Sequence, residues 1–299
     1  MGLAALGIAD GDWGLASVAA VTVGVLALLL VAVLRALRRS GRAEKAMPLL
    51  AHIEELRQRL LRTGAALLAG TLVPLLVRID WRGDIPVPRL AIYDTLAAQF
   101  FRAASGHLVP DGVALVVTSP VDGFVAQFTI ALGLGIAVAL PVGVYQLGMF
   151  LAPALQPRER RVLARTVLPV VLLFLAGAAV AYLLVLPITL AALYKFSAAL
   201  DAQPLLRVAD LATFTLAFMA GFGIAFQTPV VMVMLTRAGV VSAATWRRKF
   251  RIAVVAMLVA GMVLTPDPTI LSQLMLAVPL TALYAVGAAL AQRAERQDT

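Results

Sequence analysis

The chain has 299 residues, a formal net charge of +9, 62% hydrophobic residues and only 14% charged ones. That is too little charge to clothe a water-soluble protein of this length. The absence of cysteine removes disulfides, thiolate nucleophiles and cysteine-based metal sites, and two histidines, His52 and His107, are too few for a histidine-rich metal centre.

Apolar runs long enough to cross a hydrocarbon core of about 30 Å as helices recur along the sequence. They are apolar all round, without the alternation of barrel strands, so they predict helices. Seven spans are predicted, at 15–34, 61–79, 124–150, 163–187, 211–236, 252–265 and 270–290. The first has a basic run after it and no basic residue before it, the reverse of a secretory signal peptide, and reads as an anchor with its N-terminus outside. Met47 opens a second plausible start, so 1–46 is read as an added helix with a basic linker or as an upstream extension. The segment 47–292 is read as a six-span membrane domain and 293–299 as a tail.

Between the second and third spans lies a long connection, 80–122, with an amphipathic piece at Tyr93–Ala104 that places Leu96, Phe100 and Phe101 on one side. Further on, only 15 residues separate Arg251 from Asp267. At 1.5 Å per residue that is about 22 Å, short of a normal bilayer core. A span this short thins the bilayer or makes its flanking charges snorkel. Pro74, Pro141, Pro169, Pro187, Pro229 and Pro279 are expected to kink or end spans.

The connections sort by charge. Segments 35–62, 153–165, 237–251 and 291–299 hold 19 of the 25 Lys and Arg but 6 of the 16 acids, a net +13 against −4 for the rest. The positive-inside rule puts these segments in the cytoplasm and accounts for the basic charge without nucleic acid. No H-E-x-x-H, G-x-S-x-G or P-loop occurs, so neither an enzyme nor a cofactor site is expected. The sparse acids on the basic side carry more information. Glu54 and Glu55 precede the second span, and Glu159 follows the third. Carboxylates there can take a pair of guanidinium groups through charge-assisted bonds, or can simply pair with neighbouring arginines on a solvated face.

His52-Ile-Glu-Glu-Leu-Arg57 followed by Arg59 resembles the N-terminal signature of the TatC family, the multi-spanning subunit of the twin-arginine protein translocase. Ser119-Pro120 through Phe124, Leu140-Pro141, Tyr145-Gln146, Phe150-Leu-Ala-Pro-Ala-Leu155 and Arg158-Glu-Arg-Arg161 are similar to that family's second span and first cytoplasmic loop. Phe226-Gln-Thr-Pro-Val230, Arg248-Lys249, Leu264-Thr-Pro-Asp267, Ser272-Gln273 and Leu283-Tyr284 continue the likeness in order, over about 48–290.

The resemblance implies an all-α, polytopic, cup-shaped bundle of six helices, here with one extra N-terminal transmembrane helix. It implies an inner-membrane receptor and core subunit of a hetero-oligomeric export complex driven by the proton-motive force, with the C-terminus in the cytoplasm. It assigns binding of the twin-arginine signal peptides of folded cargo to Glu55 and Glu159, with Arg57 shaping the same surface. Docking of single-span TatA- or TatB-type subunits is assigned to Gln227, Thr228, Gln273 and Met262; bundle stabilisation is an equal reading of the glutamines. The sequence departs from the family pattern at Gln227 and Ala285, where Glu is common. An alternative from another class is a small-solute secondary transporter, which would need inverted repeats and a polar midplane site, neither of which the sequence displays.

Overall fold

A computed structural model describes residues 24, 31, 49–82, 85–151, 157–198, 200, 203–237, 239–264 and 270–298. The predicted extra helix at 15–34 therefore lies outside the described residues, apart from helical Gly24 and Val31. Among the described residues, five helices are long and apolar enough to cross a membrane: His52–Leu76, Asp122–Phe150, Val167–Phe196, Val208–Arg237 and Leu276–Arg296, with a shorter apolar helix at Phe250–Val259. The described chain separates into two compact units. The first comprises residues up to His107 with Val116–Leu168 and Arg207–Ala212; the second comprises Leu108–Leu115, Pro169–Leu206 and Thr213 onward.

The first unit begins with α1 (Leu49–Leu76), whose Leu60, Leu61, Leu68, Leu72, Val73 and Leu76 stay exposed, as a lipid-facing surface requires. α1 packs along α3 (Asp122–Leu151), and the two backbones meet at Gly70 and Gly135. A Cβ on Gly70 would lie 3.1 Å from the Gly135 Cα, a tight fit, and one on Gly135 would lie 2.9 Å from the Thr71 backbone nitrogen, which leaves no room for a side chain there.

The sequence carries α1 to residue 79, but the helix stops at Leu76, and Val77–Arg82 forms β1, paired antiparallel with β2 (Ile85–Leu90). Val77, Ile79 and Trp81 alternate with Arg78, Asp80 and Arg82, the period-2 pattern of a strand, which a span drawn to residue 79 cuts across. The amphipathic piece is α2 (Leu96–Leu108). Thr95 caps it: its hydroxyl accepts from the Ala98 N–H at 3.3 Å and donates to Gln127 Oε1 at 2.9 Å. Gln99 ties α2 to the hairpin by donating to the Ile79 carbonyl at 3.0 Å and accepting from the Ile79 N–H at 3.4 Å. Its apolar face, with Ala97, Phe100 and Phe101, packs on Ala126, Ile130, Ala131 and Ala212. At the start of α3, buried Asp122 accepts from the Thr118 and Ser119 N–H groups at 2.9 Å, from the Thr118 hydroxyl at 3.0 Å and from Arg207 Nη2 at 2.8 Å. The hydrogen bond to Asp122 holds the Arg207 guanidinium above its ordinary pKa.

The second unit is built from α4 (Pro157–Val180, from Pro169 on), a π-helical turn (Ala181–Val185), α5 (Leu186–Ala198), α6 (Val208–Ala225, from Thr213 on), α7 (Thr228–Arg237), α8 (Ala243–Arg248), α9 (Phe250–Leu264) and α10 (Ile270–Asp298). The short strands β3 (Ala114–Val116) and β4 (Leu205–Arg207) form a second small sheet. The fourth predicted span, 163–187, runs on to Phe196. Pro187 cannot donate to the helix, and the π turn just before it, with the Leu186 N–H on the Ala181 carbonyl, absorbs the defect without ending the helix. Phe218 and Phe222 are fully buried, and Gly177 lies so close that a Cβ would meet the Phe222 carbonyl oxygen at 2.6 Å. At one end, Tyr284 donates to the Trp246 carbonyl at 2.9 Å, Trp246 Nε1 to the Thr236 hydroxyl at 3.0 Å, and the Ala243 N–H to Glu295 at 3.3 Å. These bonds stitch α8 to α7 and α10.

Candidate binding site

The charged stretch at the start of α1 presents two carboxylates with different surroundings. Glu54 is the ordinary one. It pairs with Arg57 one turn on at 3.5 Å, and both side chains are more than half exposed, so the pair is weak. Glu55 is 16% exposed and faces α3. Its Oε1 accepts from Arg59 Nε at 2.9 Å and also from Arg59 Nη2, while Arg59 Nη1 donates to Gln146 Oε1 on α3 at 3.3 Å. Arg59 is itself only 13% exposed. The other oxygen, Oε2, is buried and accepts no hydrogen bond; His52 Nδ1 lies 3.7 Å away. The His52 ring stacks on Phe150, at 4.3 Å between centroids and 15° between planes.

This corner therefore couples the start of one span to the end of the next through an ion pair, an amide and a ring stack. A carboxylate oxygen held out of water without a donor is costly. Its chemistry fits a cationic donor with two N–H groups, and a guanidinium is the side-chain group of that shape.

Glu55 is in this corner. Arg57 points to Glu54. Glu159 is on the first turn of α4, and its side chain lies outside the described residues. Arg59 and Gln146 belong to the family-like motifs, but the sequence gives neither a role. The i, i+4 spacing of Glu55 and Arg59 could have signalled their pairing, but no spacing reveals a partner 87 residues away.

The other four candidates lie in the second unit. Gln227 sits at the break between α6 and α7, where its own N–H turns to the Ile224 carbonyl at 2.9 Å. Its side-chain amide then donates to the Gly223 carbonyl at 3.1 Å and the Val170 carbonyl at 3.2 Å, and its Oε1 is buried and accepts nothing. Thr228 opens α7. Gln273 donates to the Leu258 carbonyl at 2.9 Å, which joins α10 to α9, and Met262 is 59% exposed.

A family model for the Sec-independent protein translocase protein TatC matches residues 51–279. The chain belongs to the TatC family. A TatC from Cenarchaeum symbiosum is 35% identical over 253 residues, covering 83% of this chain and 95% of that protein. The TatC of Escherichia coli K12 is 30% identical over 244 residues, covering 82% and 88%. A crystal structure of a twin-arginine translocase receptor, TatC, superposes with a TM-score of 0.67 at 30% identity, covering 81% of this chain and 99% of that one. Family and helices together make this a multi-pass membrane protein and a component of a Sec-independent protein translocase. Nothing remains in favour of a solute transporter.

Proposed function

We propose that this chain is the receptor and core subunit of a twin-arginine translocase, and that Glu55 and Glu159 take the arginine pair of a cargo signal peptide. The observation that carries this reading is the Glu55 carboxylate, shielded from water with one oxygen lacking a donor. Arg57, exposed beside Glu54, keeps the surrounding surface basic and shapes the approach. The basic ends of the spans face the cytoplasm of an inner membrane, with the C-terminus on that side and the extended N-terminus opposite. Single-span TatA- or TatB-type subunits dock on Gln227, Thr228, Gln273 and Met262: Met262 supplies exposed surface, and Gln227 an acceptor oxygen without a donor. Translocation is driven by the proton-motive force within a hetero-oligomeric complex.

The test is photocrosslinking of a labelled twin-arginine signal peptide to membranes carrying Glu55→Ala or Glu159→Ala. Crosslinking is expected to fall at least about tenfold in Glu55→Ala, the loss that about 1.4 kcal/mol of a charge-assisted bond produces. Undiminished crosslinking in both variants overturns the assignment.

A further inference from the structure

The Glu55 corner already contains an arginine. We infer that Arg59 is a resident stand-in for the cargo's guanidinium, which closes the receptor carboxylate until a signal peptide displaces it. The inference rests on the reading of Glu55 as the cargo-binding acid.

Three features distinguish this pair from an ordinary i, i+4 ion pair. Both partners are largely shielded from water, whereas the neighbouring pair of Glu54 and Arg57 is not. Arg59 uses all three of its nitrogens, two on Glu55 and one on Gln146 of the neighbouring span. Its fork also closes on a single oxygen: Nε and Nη2 both reach Oε1, and Oε2 is left without a donor. A guanidinium satisfies a carboxylate best when its two N–H groups take the two oxygens separately. Arg59 is built on the same helix one turn away and leaves that arrangement unmade. A cargo arginine brings its own freedom of approach and can take both oxygens. A lysine ammonium, as a point donor, cannot reproduce the fork. The resident pair is thus strong enough to keep the acid from standing open and weaker than the pair that replaces it. When Arg59 leaves Glu55, Gln146 still accepts from its Nη1 and gives the displaced group a place on α3.

The thermodynamic consequence is specific. A site that is open for only a fraction of the time weakens every ligand that needs it by that same fraction. Arg59 therefore does not alter the ratio of affinities for twin-arginine and twin-lysine peptides. It lowers both in parallel, and the weaker ligand falls below useful occupancy.

The experiment measures dissociation constants of fluorescent twin-arginine and twin-lysine signal peptides, by anisotropy, on the full-length protein in lipid nanodiscs. Arg59→Gln is expected to tighten both peptides by one common factor, about three- to tenfold. Gln146→Leu, which removes the resting place of the displaced arginine, is expected to weaken both by about two- to threefold in the parent chain and to have no effect in the Arg59→Gln background, the coupling a double-mutant cycle reports. Weaker or unchanged binding in Arg59→Gln, or tightening of one peptide only, overturns the inference, because a residue that contacts cargo or merely props up Glu55 gives those results. Should Arg59→Gln not fold, Arg59→Lys keeps the charge and loses the fork. A smaller tightening in that folded variant supports the inference, and weakened or unchanged binding overturns it. Glu55→Ala separates the two levels. Binding that ignores Glu55→Ala overturns the receptor assignment itself and this inference with it. Binding lost in Glu55→Ala but not tightened in Arg59→Gln overturns the stand-in alone.

Discussion

Gly64 and Gly70 lie on the same face-bearing helix, yet their demands differ. A Cβ on Gly64 meets nothing within 4 Å, while Gly70 and its counterpart Gly135 sit where α1 and α3 touch. A Cβ on Gly135 would meet the Thr71 hydroxyl and lie 2.9 Å from the Thr71 backbone nitrogen, which cannot swing aside. Gly135→Ala is expected to cost about 1–3 kcal/mol, the usual penalty for overpacking, and to lower the melting midpoint in detergent. Gly64→Ala is expected to leave the midpoint unchanged or raise it slightly, by up to about 1 kcal/mol of helix propensity. A common response of the two variants would contradict the close approach. At this same scale the charge pattern marks Glu54 and Glu55 alike, as acids in a basic stretch before a span, and the resemblance to the TatC family is what chooses Glu55. The pairing of Glu55 with Arg59, and of Arg59 with Gln146, was not legible, because hydropathy and charge patterns say nothing about which of two adjacent carboxylates a second helix will cover.

Among the elements, the break between α6 and α7 depends on one side chain. The turn at Phe226 and Gln227 moves the Gln227 N–H off the Gly223 carbonyl, and the Gln227 amide replaces it while also holding the Val170 carbonyl. Away from water a freed carbonyl has no other donor. Gln227→Leu is expected to lower stability by about 1–2 kcal/mol, read as a lower midpoint and as faster amide exchange around the break. If stability is unchanged but partner crosslinking is lost, the glutamine serves docking and its internal bonds are incidental. The elements themselves were largely legible, since apolar runs announce spans. Two boundaries were not. Val77 and Ile79 follow directly on the apolar span and so read as its end, although their alternation with Arg78 and Asp80 is that of a strand. Pro187 reads as a terminus, but a single π turn carries the helix past it.

For the whole molecule, α9 has 15 residues and so rises about 22 Å, against about 30 Å for a bilayer core. Inserting four apolar residues into it is expected to relieve the mismatch. If thinning assists passage, export of a twin-arginine reporter falls while signal-peptide binding persists; unaltered export counts against a role for the short span. Orientation is open to direct measurement because the chain has no cysteine, so an introduced thiol labels without background. Ser242→Cys, beside the basic α8, is expected to react only when the cytoplasmic face is accessible, and Asp111→Cys only from the opposite face. The reverse pattern would invert the topology drawn from charge.

α1 joins two places that the membrane keeps apart. Glu55 is near one end of this helix, and β1 leaves the other end without a connecting residue, with the Ala91 N–H fastened back to the Leu76 carbonyl at 3.0 Å. The 22 residues from Glu55 through Leu76 make a rod of about 33 Å. Tilting such a rod by 5° about one end carries the other through about 3 Å, and Gln99 would pass that displacement to α2. A spin label at exposed Tyr93 is therefore a gauge, read on the far face, of what happens at Glu55.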